Sequence, residues 1–208
     1  MALIKTGQPR TADAAELGAM PRDLDALIGQ LGQADVSARR LAARQLADFQ
    51  GSVPALTRQL LRETEPSVRE AIFVALTLIG NSAAVESLVT CLRSNDAAIR
   101  NEAIEAMKSL PNSVAPIMAG LLSDPDPDVR IFTVNVLESL RHPDVEKWLI
   151  DVISRDRHVN VCAAAVDLLG ELGTESAIGP LEALRKRFAD VPYIGFASFL
   201  ALKRIREA

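Results

Sequence analysis

Residues 124–137, DPDPDVRIFTVNVL, join a polar turn to the start of an apolar helix. Asp and Pro fill the turn, Val129 and Arg130 follow it, and the later apolar residues recur at helical spacing. Related turns occur at residues 63–69 (ETEPSVR), 94–100 (SNDAAIR) and 156–162 (DRHVNVC). The stretch is therefore one copy of an internal repeat, and the repeat determines the fold class.

The copies align on the position of Arg130, which we call the slot. The slot residues are Arg39, Arg69, Arg100, Arg130, Cys162 and Gly195, separated by 30, 31, 30, 32 and 33 residues. Large apolar residues stand seven and ten positions after each slot, and mostly small residues stand three positions after it. Offsets of 3, 7 and 10 lie on one face of an α-helix, so each copy contains an amphipathic helix.

A shorter apolar segment precedes each of these helices, from DLDALIGQL (residues 23–31) to AIGPLEALRKRF (residues 177–188). Two helices in every 30 or so residues predict an all-α fold, an α-solenoid of about six antiparallel helix pairs. We place this domain at residues 22–208. Residues 1–21 are interpreted as an N-terminal extension, either mobile or a helix that caps the first pair.

The repeat also resembles a known family. VREAIFVALTLIG, residues 68–80, is similar to the pattern V-R-x-x-A-x-x-x-L-x-x-I-G, and VCAAAVDLLGELG, residues 161–173, is similar to it apart from the Arg. On these segments the chain resembles the HEAT repeats, in particular the short type found in phycobilisome lyases. The resemblance implies a HEAT-like superhelix but leaves the function open, since this repeat serves many unrelated tasks.

The resemblance also implies a role for the slot arginines. In HEAT repeats this Arg and an acid six residues before it form a hydrogen-bonded ladder between adjacent repeats. The spacing occurs as Glu63 with Arg69 and as Asp124 with Arg130. In the fifth copy Asp156 is present but Cys162 occupies the slot, so we expect the ladder to be weakened there. The alternative is that the slot arginines form a row that binds an anion.

His158 and Cys162 are four residues apart and would share a helix face. Zinc requires three or four ligands, and the sequence has no Cys-x-x-Cys and no His-Glu-x-x-His motif. The small residues that follow Cys162 indicate tight packing rather than an accessible nucleophile. We therefore interpret Cys162 and Cys91 as structural thiols, and we expect no catalytic residue, no metal site and no cofactor.

Composition narrows the function classes. The net charge is −4 and only 4% of the residues are aromatic, which disfavours nucleic-acid binding despite basic clusters at residues 39–44 and 185–187. No apolar run reaches the roughly 18 residues of a membrane helix, and we expect no membrane contact. Two cysteines far apart are typical of a reducing compartment, so we expect a cytoplasmic protein.

The solvent-exposed face of each slot helix is expected at offsets 1, 2 and 5, opposite the core positions. In HEAT folds these helices line the concave side. The face changes from basic through acidic to apolar along the chain, and apolar residues rimmed by charge are typical of a protein-binding surface. The predicted partner-binding residues are Arg40, Arg44, Glu70, Val74, Glu102, Glu105, Ile131, Phe132 and Asn135. Ile131 and Phe132 are the expected apolar anchors, unless they pack against an adjacent helix.

The last helix, PYIGFASFLALKRI (residues 192–205), is apolar nearly all round. A terminal repeat is expected to have a polar outer face. Phe196, Phe199 and Leu200 cannot all face one neighbouring repeat. Either loops of the neighbouring helices wrap this helix, or it meets another chain; we predict that these residues contact a second copy of the chain, forming a homodimer, or another protein.

Together these features favour a non-catalytic module or scaffold that binds a partner protein on the concave face of a HEAT-like solenoid. The family resemblance keeps open an alternative, a phycobilin lyase-like subunit or a chaperone for chromophore attachment. A third interpretation, a HEAT-like DNA-repair protein, would require salt-sensitive DNA binding. The sequence does not identify the partner.

Overall fold

The helices of the computed structural model follow the repeat. The model describes residues 23–207, and these contain twelve α-helices, two short 3-10 turns and no strand. The helices are α1 (Leu24–Leu31), α2 (Val36–Leu46), α3 (Val53–Leu60), α4 (Pro66–Ile79), α5 (Ser82–Leu92), α6 (Ala97–Lys108), α7 (Pro111–Leu121), α8 (Pro127–Leu137), α9 (Val145–Arg155), α10 (Val159–Leu172), α11 (Ile178–Arg187) and α12 (Pro192–Glu207). The predicted solenoid of six helix pairs is confirmed. The predicted N-terminal extension, residues 1–21, lies outside the described residues.

Short polar side chains start several of the slot helices. Asp35, Asp96 and Asp126 each accept a hydrogen bond from a backbone N–H two or three residues ahead, at 2.6, 2.8 and 2.9 Å. Such N-caps satisfy donors that the first helical turn leaves free. Pro66 and Pro127 occupy the first position of α4 and α8, where the missing N–H costs nothing.

The repeat offsets identify most of the core. All residues at offsets 3 and 7 are buried, from Ala42 and Leu46 in α2 to Ser198 and Leu202 in α12. Offset 10 is less regular: Leu140 is buried, but Leu172 is exposed. Offset 10 lies beyond the end of several slot helices, as at Leu140 after α8, or at the last residue of one, as at Leu172 in α10, so the helical period does not determine its burial. None of the described helices is long and apolar enough to cross a bilayer.

The slot arginines form a ladder that reaches forward along the chain. Arg39 donates from Nε and Nη2 to the Glu63 carboxylate, at 2.9 Å in each case, and Arg130 donates in the same way to Asp156 at 2.7 and 3.0 Å. Arg69 donates to Asp96 at 2.9 Å. Each of these acids lies in the turn of the next helix pair, so the ladder joins successive pairs.

The slot arginines also close their own turns. Arg130 Nη1 donates to the carbonyl oxygen of Asp124 at 2.7 Å, and Arg100 Nη1 donates to that of Ser94 at 2.7 Å. Among residues 23–207, Arg100 forms no ion pair, and Asp124 pairs instead with Arg93 from the end of α5. The ladder therefore also reaches the turn before α8, but Arg93 rather than the slot residue Arg100 forms this link.

The prediction of a weakened ladder at Cys162 is wrong, because Arg187 from the end of α11 occupies that place. Its guanidinium donates to the carbonyl oxygens of Ile153 and Ser154 at 2.7 Å each and to that of Asp156 at 2.9 Å. It also lies 3.5 Å from the Cys162 sulfur. These carbonyls belong to the end of α9, where a helix leaves acceptors without intrahelical partners. Arg187 thus joins the last helix pair to the fifth.

We predict that Arg187→Ala lowers the free energy of unfolding by about 1–2 kcal/mol, because it leaves three carbonyl oxygens at the end of α9, that of Ile153 partly buried, without a charged donor. Hydrogen exchange should become faster in α11 and α12 than in α3 and α4. The control is Arg185→Ala, which removes an exposed side chain two residues away. Equal stability of the two variants would contradict the assigned role of Arg187.

We also predict acid sensitivity centred on Glu63, whose side chain is 2% exposed. Burial opposes its ionisation, but hydrogen bonds from Arg39, Gln59 and the Glu65 backbone outweigh this and lower the Glu63 pKa to about 2. The ordinary value is 4.5, so between these values the unfolded chain binds more protons than the folded chain. The stabilisation is therefore fully present above about pH 4.5 and is lost as the pH falls towards about 2.

Urea unfolding at a series of pH values tests this prediction. Glu63→Gln should lower stability at neutral pH and flatten the fall below about pH 4.5, because the amide does not titrate. Glu86→Gln, which changes an exposed acid, should keep the pH dependence of the unaltered chain. A Glu63→Gln curve parallel to that of the unaltered chain would exclude Glu63 as the main source of the acid sensitivity.

Candidate partner-binding surface

The second helix of each pair lies beside the second helix of the next. Helices α2, α4, α6, α8, α10 and α12 contact one another in that order. Their exposed residues form one continuous surface, which we call the second-helix face. Every predicted partner-binding residue belongs to one of these six helices, so the surface can be followed from α2 to α12.

The face begins with a basic and apolar region. Arg40 and Arg44 on α2 are exposed, as predicted, and Leu41 between them is half exposed. On α4, Val74 is also exposed, and Leu78 one turn later is the most exposed large apolar residue of the described chain, at 71%. Leu41 lies at offset 2, where exposure was expected, but neither Leu41 nor Leu78 was among the predicted partner-binding residues. Leu78 follows Val74 at a spacing of four and would have been found if the stripe had been extended to offset 9.

Acidic residues dominate the centre of the face. Glu70 and Glu105 are exposed as predicted, whereas Glu102 is half-buried. Burial raises the pKa of Glu102, Arg69 opposes this, and the neighbouring acid Glu70 adds to the increase. One carboxylate oxygen of Glu102 is buried and accepts no hydrogen bond. Glu102 is thus held inside the surface rather than presented to a partner.

A shallow cleft of about 430 Å³ crosses α6, α8 and α10 in this acidic region. Lys108 Nζ donates to Glu105 and to Glu138 at 3.0 Å each, which ties α6 to α8. Asn135, a predicted contact residue, lines the cleft and is exposed. Asp167 from α10 lines the same cleft, so acidic side chains continue from α6 to α10.

The structure places the two expected anchors differently from the prediction. Ile131 and Phe132 are half-buried and pack against the core, and the Arg100 guanidinium lies 5.1 Å from the centre of the Phe132 ring. The alternative that these side chains pack against an adjacent helix therefore describes them better than exposed anchors. Offset 2 was also a poor guide to exposure elsewhere, because Ala71 and Ala197 are buried.

The apolar end of the face lies on α12. Phe196 is 61%, Phe199 53% and Leu200 37% exposed, as expected for side chains that one neighbouring repeat cannot cover. Tyr193 is exposed beside them, and its hydroxyl donates to Asp167 on α10 at 2.9 Å. This hydrogen bond, together with burial, raises the Tyr193 pKa. Contact of these residues with a second copy or with another protein stays a prediction.

The two cysteines lie inside the fold. Burial, reinforced by Glu102, raises the pKa of the Cys91 thiol to about 11. Burial also raises the pKa of Cys162, although the positive charge of Arg187 opposes the increase. Both thiols are therefore protonated at neutral pH and are poor nucleophiles. Within residues 23–207, no cluster of three or more His, Cys, Asp or Glu side chains is arranged to hold a metal ion.

A separate cleft of about 390 Å³ lies away from the second-helix face, between α7 and α9. Its lining residues include the apolar Trp148 and Leu122 and the basic Arg155 and Arg157. The Trp148 indole stacks on the His142 ring with 4.9 Å between the ring centres. This cleft was not predicted from the sequence, because its lining residues come from two successive helix pairs and the turns that follow their first helices.

Comparison with known proteins agrees with the repeat. The family model described as HEAT repeats matches residues 24–108 and 114–202. The bilin biosynthesis protein PecE of Mastigocladus laminosus is 31% identical over 173 residues, which cover 81% of this chain and 61% of that protein. The chain thus spans less than two thirds of the length of this relative.

Solved structures of two natural proteins are similar in fold. The archaeal HEAT-like repeats protein from Thermococcus onnurineus NA1 has 17% identity and a TM-score of 0.48, over 88% of this chain and 87% of that one. The complex of CpcE and CpcF of phycocyanin lyase from Nostoc sp. PCC7120 has 17% identity and a TM-score of 0.38, over 97% of this chain and 100% of the matched chain.

We predict that Phe132→Ser lowers the free energy of unfolding by about 1–3 kcal/mol, since it removes a ring packed against the core and leaves Arg100 without its aromatic contact. Leu78→Ser should change stability by less than about 0.5 kcal/mol, because its side chain lies mostly in solvent. Urea unfolding of both variants checks the difference. Equal and small effects would instead restore Phe132 as an accessible anchor.

Proposed function

Since the chain belongs to the HEAT-repeat family, we propose that it is a protein-binding subunit that acts in the handling of phycobilins. The observation that carries this proposal is the 31% identity to a bilin biosynthesis protein over 81% of the chain. HEAT repeats alone do not select a function. A relative of this identity over most of the solenoid favours the phycobilin lyase-like interpretation above a general scaffold.

The thiols support a binding role rather than a covalent one. Attack by a cysteine requires the thiolate, and both cysteines of the chain are buried with raised pKa values. A bilin that becomes covalently attached would therefore bond to a cysteine of another protein. In this proposal the chain binds and orients the protein that carries the bilin.

The second-helix face is the surface that we propose for this contact. It carries exposed apolar side chains at both ends, Leu41 and Leu78 near its start and Phe196 near its finish, with acidic side chains between them. Apolar contacts supply most of the binding free energy of a protein interface, and the charges restrict which partner fits. Arg40, Arg44, Glu70, Val74, Glu105 and Asn135 remain proposed contact residues on this basis.

A scaffold that binds protein without any bilin is the second candidate. The exposed side chains of Val74 and Leu78 favour it, since an apolar patch on α4 needs only a protein to cover it. The two candidates differ in whether the chain alters a bilin or its attachment to protein. They share the requirement for the second-helix face.

We predict that the chain changes the visible absorption of phycocyanobilin when it is mixed with the bilin and a chromophore-free phycobiliprotein subunit. A bound tetrapyrrole is held in fewer conformations than a free one, and this alters its long-wavelength band. Leu78→Ser combined with Val74→Ser should weaken the change. The matched control is Leu61→Ser, an exposed leucine just after α3, outside the second-helix face.

Absence of any absorption change, with or without the phycobiliprotein subunit, would contradict the role in bilin handling. Co-elution with the chromophore-free subunit on size exclusion, without an absorption change, would favour the scaffold. If Leu61→Ser weakens the change as strongly as the double variant, the contact lies outside the second-helix face.

A further inference from the structure

A groove runs beside α12, where α10 and α12 approach each other closely. At Gly170 on α10, an added Cβ would lie 3.5 Å from the Cα and the Cβ of Ala201 on α12. Because Gly170 and Ala201 are small, the two helices come close together at this contact, and neither side chain fills the space above it. The larger neighbouring side chains then enclose a groove of about 240 Å³ along the second-helix face.

One wall of this groove is apolar. Tyr193, Phe196 and Leu200 line it from α12, and their spacing of three and four residues puts them in one stripe. The stripe rises about 10 Å along the helix, which is two turns. All three side chains are exposed, so the wall lacks the apolar cover that such residues ordinarily have in a folded chain.

The opposite wall is acidic. Asp167 and Glu171 are one turn apart on α10, and both are exposed. The Tyr193 hydroxyl spans the groove to Asp167 at 2.9 Å, which fixes the width at that end. No hydrogen bond or ion pair is recorded for the Glu171 side chain in the part of the chain that the structure describes. Arg204 stands at the far end of the groove and partly offsets the negative charge there.

The acidic wall continues into the neighbouring cleft. Asp167 lines both depressions. Glu105 on α6 and Glu138 just after α8 line the neighbouring cleft with it and are bridged by Lys108. A segment of another protein bound along α12 would therefore contact apolar side chains of α12 and, on one side, the carboxylates of α10. This charge arrangement selects one kind of occupant.

We propose that the groove between α10 and α12 binds an amphipathic helix of the partner protein. Large apolar residues of that helix would contact Phe196 and Leu200, and Lys or Arg side chains on one flank would pair with Asp167 and Glu171. A helix fits because two helices in close contact form a valley in which the ridge of a third packs. This inference rests on the proposed function for the presence of a protein partner, and it names the chemistry of the contact.

The test uses the whole chain and two fluorescent synthetic peptides. Each has about 18 residues, long enough to populate a helix, with leucines at i, i+3, i+4 and i+7. The first carries lysines on one flank of the leucine stripe, and the second carries glutamates at the same positions. We expect fluorescence anisotropy to show binding of the lysine peptide, with at least about tenfold weaker binding of the glutamate peptide.

Variants locate the contact. Phe196→Ser should weaken binding of the lysine peptide by at least about tenfold, as expected for loss of a buried aromatic contact. Glu171→Lys should reduce the preference for lysine over glutamate without abolishing binding. The matched control, Leu61→Ser, removes a similarly exposed apolar side chain just after α3, outside the second-helix face, and should bind like the unaltered chain. Thermal unfolding of each variant shows that the fold is retained.

The proposal is overturned if neither peptide binds, if the two peptides bind equally, or if Leu61→Ser weakens binding as much as Phe196→Ser. It is also overturned if the unaltered chain is a dimer by light scattering and Phe196→Ser makes it a monomer, because the occupant is then a second copy. Since the peptides contain no bilin, a negative absorption test together with peptide binding contradicts the role in bilin handling and leaves the groove intact.

Discussion

The forward-reaching arginines of the ladder are the contacts on which the rest of the structure depends. Arg39 with Glu63 and Arg130 with Asp156 form paired hydrogen bonds that join one helix pair to the turn of the next. Removing such charges from water is costly, and the geometry must be good to offset that cost. The paired bonds and the turn carbonyls that each arginine also contacts provide that geometry. Each pair is thereby set in one position relative to its neighbour, and the second helices form a continuous surface.

The helical period predicted the fold because a solenoid is built from contacts between sequence neighbours. Offsets 3 and 7 identified the core in all six copies, since both fall inside the slot helix of every copy. The replacement of the slot arginine by Arg187 could not be predicted in this way. Arg187 lies 25 residues after Cys162 and comes from a first helix, so no position of the repeat pattern points to it. Its role depends on where the end of α11 passes the end of α9.

The exposed residues of the candidate surface could be predicted where exposure depends only on the direction in which a side chain leaves its helix. Arg44 and Phe196 fall on the side of their helices opposite the core positions, and both are exposed. Phe132 also points towards this face, but the Arg100 side chain of the neighbouring second helix extends over its ring. The helical period predicts the direction in which a side chain points. It does not predict whether a long side chain from the neighbouring helix covers it. For the same reason, the half-buried carboxylate of Glu102 was not distinguishable by sequence from the exposed Glu105.

The last pair links the ladder to the proposed binding site. A terminal helix pair packs on one neighbouring pair only, so its position depends on fewer contacts than that of an internal pair. Helix α12 packs on α10 and α11, and α11 is held to the fifth pair by the Arg187 guanidinium. The groove between α10 and α12 exists only while this arrangement holds. The apolar side chains at the end of the solenoid are therefore held in place by the same kind of arginine contact that orders its interior.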